Sequence, residues 1–243
     1  MGEILSCFKR YEKKYLLTDE QYRVLLAEMM PLMKPDEHPV YSVSNIYYDT
    51  ENFDLIRESL EKPIYKEKLR MRSYGVPKNS DMVFVEIKKK FEGVVYKRRI
   101  SMNATDAGRY LSGLRKGDGS QISREIDYFL KLYQPAPKVL ISYDREAYTA
   151  SDGSELRITF DTSLRARSYG IDLRLGTYGV PFPEENFRLM EIKIPGAAPL
   201  WLAELLSENK IFPTSFSKYG TYYTQFVLSG RAAIMSKEVI LSA

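Results

Sequence analysis

The residues best suited to chemistry in this sequence are lysines, arginines and glutamates spaced two apart. Lys66, Lys68, Arg70 and Arg72 recur at alternate positions, as do Phe84, Glu86, Lys88 and Lys90, and then Val95, Lys97 and Arg99. Arg10, Glu12 and Lys14 share the spacing near the start. Further on, Tyr143 and Arg145 are in phase, as are Glu155, Arg157, Thr159 and Asp161, and then Glu191 and Lys193. In a β-strand this spacing puts the side chains on one face. On any one strand such a face reads as a solvated surface where acids and bases neutralise each other. Repetition over five or more strands argues for something else, a surface that gathers an anion. Arg forks and Lys ammonium groups bind phosphate oxygens strongly once desolvated. The interspersed Glu12, Glu86, Glu155 and Glu191 could partly neutralise the cations or hold a divalent cation that bridges phosphates.

The rest of the composition narrows the chemistry. One cysteine, Cys7, and one histidine, His38, exclude a disulfide framework, a Cys/His zinc site and a Ser-His-Asp triad with a second histidine. A metal would be held by oxygen ligands, which points to Mg²⁺ or Mn²⁺. There is no Walker A sequence and no Gly-rich nucleotide loop, so side chains rather than backbone amides would hold a nucleotide. The formal charge is only +4, from 36 Lys and Arg against 32 Asp and Glu, so the cations matter through their placement rather than their sum. No RNP, KH or helix-turn-helix pattern appears, and the 19 tyrosines read as strand and helix packing, which argues against a nucleic-acid partner.

The elements that must position these residues are strands. Period-two alternation predicts them over Phe8–Leu17, Val40–Tyr48, Tyr65–Tyr74, Met82–Lys90, Val94–Ser101, Lys138–Thr149, Glu155–Asp161, Arg165–Leu175 and Phe187–Ile194. Helices are expected after Thr18, where Gln21 completes a capping box, after Thr50, after Thr105 and after Ser120. Two more are expected at Pro199–Asn209 and Tyr219–Ser229. His38 falls in a stretch expected to be a surface loop, and Trp201 in one expected to pack in the core. The pattern predicts one α+β domain built on an antiparallel sheet. If that sheet closes with its helices outside, the charged faces line a lumen, which is stable only when water or a polyanion compensates them. No apolar stretch reaches membrane-spanning length, and no export signal is evident, so a cytoplasmic setting is expected.

The ordered motifs also carry a resemblance. Arg10-Tyr11-Glu12-Lys13-Lys14-Tyr15, Leu69-Arg70-Met71-Arg72, Val85-Glu86-Ile87-Lys88, Lys97-Arg98-Arg99, Tyr143-Asp144-Arg145, Leu156-Arg157-Ile158, Met190-Glu191-Ile192-Lys193 and Phe216-Ser217-Lys218-Tyr219 resemble the VTC (vacuolar transporter chaperone) domain. That is the polyphosphate polymerase branch of the triphosphate tunnel metalloenzyme, or CYTH-like, superfamily. The resemblance runs from about Phe8 to Tyr223. It implies a single VTC-like domain over residues 1–243, an eight-stranded antiparallel β-barrel tunnel with helices packed outside. It also implies transfer of the terminal phosphoryl group of ATP to a polyphosphate chain with Mn²⁺ or Mg²⁺, and it identifies Lys14, Arg70, Arg72, Lys88, Lys97, Arg145, Arg157 and Lys218 as catalytic cations. Arg10, Tyr143 and Lys193 would contact substrate, and Glu191, with Glu12 and Glu86, would bind metal. Tunnel hydrolases of the superfamily begin Glu-x-Glu-x-Lys, whereas Arg10 stands at the first of these positions here. Hydrolysis of tripolyphosphate or a nucleoside triphosphate, and non-catalytic polyphosphate binding, are the alternatives. Coupling to export would require a separate membrane protein partner.

Overall fold

The computed structural model describes residues 11–92, 94–183 and 187–231. In chain order the elements are β1 (Tyr11–Leu17), α1 (Asp19–Met29), β2 (Met33–Asp49), α2 (Asp54–Leu60), β3 (Tyr65–Tyr74), β4 (Met82–Phe91), β5 (Val94–Asn103), α3 (Ala104–Leu111), α4 (Gln121–Tyr133), β6 (Ala136–Ala150), β7 (Arg157–Arg167), β8 (Val180–Pro181), β9 (Arg188–Ile194), α5 (Leu200–Glu208) and α6 (Lys218–Tyr222). The hydrogen-bonded order is β1-β9-β7-β6-β2-β3-β4-β5, with the short β8 on β7. The α+β class, the antiparallel sheet and the helices on its apolar side match expectation. The sheet has nine strands rather than eight, and among the described residues no ladder joins β1 to β5.

The chain falls into two compact units. One comprises the described parts of Met1–Ser42, Tyr143–Leu164 and Phe182–Ser217. Its core joins Tyr15 and Leu17 of β1, Ile158 and Phe160 of β7 and Met190 and Ile192 of β9 to Tyr22, Leu25 and Met29 of α1 and Leu202, Leu205 and Leu206 of α5. The capping box that opens α1 forms as expected, with Gln21 N donating to Thr18 Oγ1 and Thr18 N donating to Gln21 Oε1, both at 3.1 Å. The other unit comprises Val43–Ser142, Arg165–Pro181 and the described part of Lys218–Ala243. There Ile46, Leu69, Met71, Val83, Val85, Ile87 and Ile100 pack under Ala107 and Tyr110 of α3 and Ile126 and Phe129 of α4. In one unit α1 and α5, and in the other α3 and α4, cover the apolar strand face and leave the charged positions on the other.

Several boundaries differ from expectation. The stretches predicted as two strands, Glu155–Asp161 and Arg165–Leu175, give one strand, β7, followed by a 3₁₀ turn at Leu173–Leu175. Glu155 precedes β7 and is exposed, so it is not among the aligned charges. His38 lies exposed within β2, which is longer than the alternation suggested because two prolines, Pro35 and Pro39, obscured its start. Helix α3 is capped by Asn103, whose side chain accepts from Asp106 N, rather than by Thr105. The final helix begins at Lys218 and continues into a π-helical turn, Tyr223–Val227. Phe8, Lys9 and Arg10 lie outside the described residues.

Candidate functional site

Each unit carries a charged cluster on the strand face opposite its apolar core. In the first unit, Lys14 on β1 sits directly across from Glu191 on β9, and Glu12 across from Lys193. On the other side of β9, Arg157 pairs with Lys193 and Thr159 with Glu191. These registers bring Glu12, Lys14, Arg157, Glu191 and Lys193 onto one face. Arg145 of β6 binds Asp161 of β7 through two bonds, Nε to Oδ1 at 2.6 Å and Nη2 to Oδ2 at 2.8 Å, and donates to Glu191 Oε2 at 3.2 Å. Its guanidinium also lies over the Tyr143 ring, 5.3 Å from the centroid.

Glu191 is therefore the anionic centre of this cluster. Beside the Arg145 bond, its carboxylate lies 3.7 Å from Lys14 Nζ and 3.5 Å from Lys193 Nζ. Lys14 also reaches toward Glu12, at 3.9 Å, and donates to the Phe216 carbonyl at 2.9 Å. Arg157 is turned elsewhere, since its Nη2 lies 2.6 Å from Asp36 Oδ2 and donates to the Tyr41 hydroxyl at 3.4 Å. Sequence reasoning placed Asp161 in phase with Arg157 but gave it no role, whereas it is the principal partner of Arg145.

In the second unit the registers align Lys68, Lys88 and Lys97 across β3, β4 and β5, and beside them Arg70, Glu86 and Arg99. Glu86, 1% exposed, takes Arg70 Nε and Nη2 at 2.7 Å each, has Arg72 Nε at 3.7 Å and meets Lys97 Nζ at 3.0 Å. Burial alone would raise the Glu86 pKa, but Arg70, Arg72 and Lys97 outweigh it and hold the carboxyl well below its ordinary value. Arg72 is fixed further by Asn45, whose Oδ1 accepts from Nε at 2.8 Å, and Arg70 Nη1 reaches the Tyr47 hydroxyl at 3.5 Å. Tyr47 stacks on Tyr219 of α6 with centroids 4.7 Å apart, and Tyr219 donates to Asp49 Oδ2 at 2.9 Å. Lys218, buried at the start of α6, adjoins this anchor. Asn45, Asp49 and Tyr219 were not foreseen as a support, because only the fold brings β2 and α6 together.

A family model, the VTC domain, matches residues 9–227. The chain belongs to the VTC domain family. It is 27% identical over 219 residues to vacuolar transporter chaperone complex subunit 4 of Trypanosoma brucei brucei, an alignment that covers 74% of this chain and 27% of that protein. With the protein of the same name from Trypanosoma cruzi it shares 28% over 217 residues, covering 73% and 27%. This VTC domain thus spans about 27% of the length of the curated relatives it matches. Among solved structures, an adenylate cyclase candidate from Bacillus halodurans superposes with a TM-score of 0.53 at 14% identity, over 86% of this chain and 95% of that one, a likeness of fold alone.

The resemblance implies a divalent cation, and the carboxylates of the VTC domain can be tested against it. Among the described residues no three Asp, Glu, His or Cys side chains converge as a protein-only metal cage. Mg²⁺ in particular takes one or two protein carboxylates and completes its shell with phosphate oxygens and water. Glu191 with Glu12 fits that demand, since both flank Lys14 Nζ. Glu86 fits it less well, because it is only 1% exposed and Arg70 and Lys97 hold its carboxylate at 2.7 and 3.0 Å.

Proposed function

We propose that this VTC domain is a metal-dependent polyphosphate polymerase, transferring the terminal phosphoryl group of ATP to the end of a phosphate chain. The observation that supports this most is the alignment of cations on successive strand faces with one central carboxylate in each cluster, an excess of positive charge that phosphate would balance. Phosphoryl transfer needs positioning and charge neutralisation more than a protein nucleophile. The terminal oxygen of the chain would attack the γ-phosphorus of ATP as the bond to the β-phosphate oxygen breaks, and ADP would leave. Arg70 and Arg72, held by Glu86 and Asn45, and Arg145, held by Asp161, would offer oriented N–H groups to non-bridging oxygens. Lys14, Lys88, Lys97, Arg157 and Lys218 would add charge, with Tyr143, Lys193 and Arg10 contacting substrate. A divalent cation at Glu191, with Glu12, would neutralise phosphate oxygens.

One family model runs through both compact units, which supports reading residues 1–243 as one working domain. Among the described residues no helix is long and apolar enough to cross a membrane. The relatives are named as subunits of a complex, which supports assembly with a separate partner; in this reading that partner is a membrane protein and the catalytic domain lies on the cytoplasmic side, where ATP is available. Incubation of the purified chain with ATP and Mn²⁺ tests the reading. Long acid-labile phosphate chains and ADP are expected, whereas release of orthophosphate alone would identify a hydrolase and binding without turnover a sensor.

A further inference from the structure

Period two also places aromatic and apolar residues in phase with the cations of the second unit. Tyr74 follows Arg70 and Arg72 at the end of β3, and Met82 and Phe84 precede Glu86 on β4, so all three share the charged face. A face that only gathers phosphate has no use for them. Phe84 stands directly across from Arg72 and is half-buried, whereas Tyr74 is 45% and Met82 56% exposed. The Tyr74 ring meets Phe84 edge-on, with centroids 5.7 Å apart and planes at 68°. Exposed Arg99 stands across from Glu86, yet its guanidinium lies over the Phe84 ring, 4.5 Å from the centroid. Phe84 therefore supports two flat groups, a phenol and a guanidinium, at the end of the arginine cluster.

We propose that Tyr74, Phe84 and Arg99 form a nucleobase seat, which binds the base of a purine nucleoside triphosphate while Arg72 and Arg70 take its phosphates. It rests on the nucleoside triphosphate reading of this face and adds to it the direction in which the substrate lies. Aromatic rings and guanidinium planes are the surfaces on which unpaired bases stack. Tyr74 stands one in-phase position beyond Arg72, a step of about 6.6 Å that the ribose has to cover. The base then lies at the strand end, the first phosphate at Arg72 and the terminal phosphate toward Lys97. The seat also sets a substrate class. Stacking accepts every base, with preferences that follow stacking strength, whereas telling one base from another takes hydrogen bonds to its edges. Tyr74 and Arg99 present planes, so adenine and guanine are accepted alike, and uracil, with a smaller ring to bury, is held more weakly.

Competition binding to the full chain, with ATP, GTP, UTP and tripolyphosphate as ligands, tests the seat. Tyr74→Ala is expected to weaken ATP and GTP about tenfold through the lost stack, and to change tripolyphosphate less than about twofold, since no charge is removed. Arg99→Lys keeps the charge and loses the plane, so it should weaken ATP about threefold and leave tripolyphosphate unchanged. Tyr74→Trp, with a larger ring, should hold or tighten ATP. Should Tyr74→Ala lower the urea midpoint, the contrast in Arg99→Lys decides in its place. The proposal is overturned if the deciding variant weakens ATP and tripolyphosphate together, if it leaves ATP affinity unchanged, or if UTP binds the wild type as tightly as ATP. Absence of polymer synthesis would overturn the polymerase reading while leaving this binding contrast intact. Synthesis from ATP with a KM that the deciding variant does not move would overturn the seat alone.

Discussion

Lys97 shows what alternation can and cannot say about a single residue. Arg98 and Arg99 adjoin it, and a slip of one position reverses every side chain. The choice is made on the helix layer, where Glu125 of α4 holds Arg98 Nη1 at 2.5 Å, so that Lys97 turns to Glu86 on the other face. Burial pushes the Lys97 pKa down, Glu86 partly restores it, Arg72 and Arg70 lower it again, and the result is about 7. Below that pH Lys97 is charged and ready for phosphate; above it, binding must first draw a proton onto the amine. Relative to Lys97→Arg, which stays charged, wild-type affinity for tripolyphosphate should therefore decline between about pH 6 and pH 8, by at most tenfold per unit. Parallel titrations of the two proteins check this, and superimposable profiles would reject it. Asp161 is the converse case, legible as an in-phase acid but not as a partner. Asp161→Ala leaves buried Arg145 with the longer Glu191 bond as its carboxylate contact, so a loss of about 3–5 kcal/mol is expected in urea unfolding.

Strands and capped helices were readable because their signals are local, as with Thr18 and Gln21, while the contacts that dock one element on another join distant positions. Asp49 is the clearest instance. Its carboxylate accepts from Thr50 N at 2.8 Å, Leu55 N at 3.0 Å and Ile56 N at 3.1 Å, anchoring the start of α2, and from the Tyr219 hydroxyl, anchoring α6. Tyr219→Phe keeps the stack on Tyr47 and removes one bond to a charged acceptor, so a loss of about 1.5–3 kcal/mol is expected. Denaturant unfolding measures it, and no change would mean that stacking alone holds α6. The loop after β7 depends likewise on one residue. Arg167 is fully buried and donates to the carbonyls of Gly170, Asp172, Gly176 and Tyr178 at 2.7 to 3.1 Å. No periodic signal marks such a role, and the stretch read as a strand. Arg167→Met would strand four carbonyls, and protease cleavage between residues 168 and 180 should then outpace cleavage elsewhere in the chain.

At the scale of the molecule, a formal charge of +4 understates what an approaching anion meets. The sum mixes strand faces crowded with cations and helices that carry many of the acids, such as Glu125 on α4, which binds Lys89 and Arg98 away from the polar face. The placement of charge by face was legible from period two, but the strand order β1-β9-β7-β6-β2-β3-β4-β5 was not, because two of its pairings, β1 with β9 and β6 with β2, join distant parts of the chain. That order sets Lys14 beside Glu191, and with it the clusters' balance of charge. A fold that holds like charges side by side is stabilised by any ligand that screens them, and a ligand bound only to the native state adds about 2.7 kcal/mol at a hundredfold excess over its Kd. Tripolyphosphate should accordingly raise the thermal midpoint more in low salt than in high, because counterions compete for the same cations. Sulfate at equal ionic strength should do less, having fewer oxygens to span a row of cations. Calorimetry with the two anions over a salt series decides the matter: equal shifts would reduce the clusters to general screening, and a shift that grows with salt would contradict an electrostatic site.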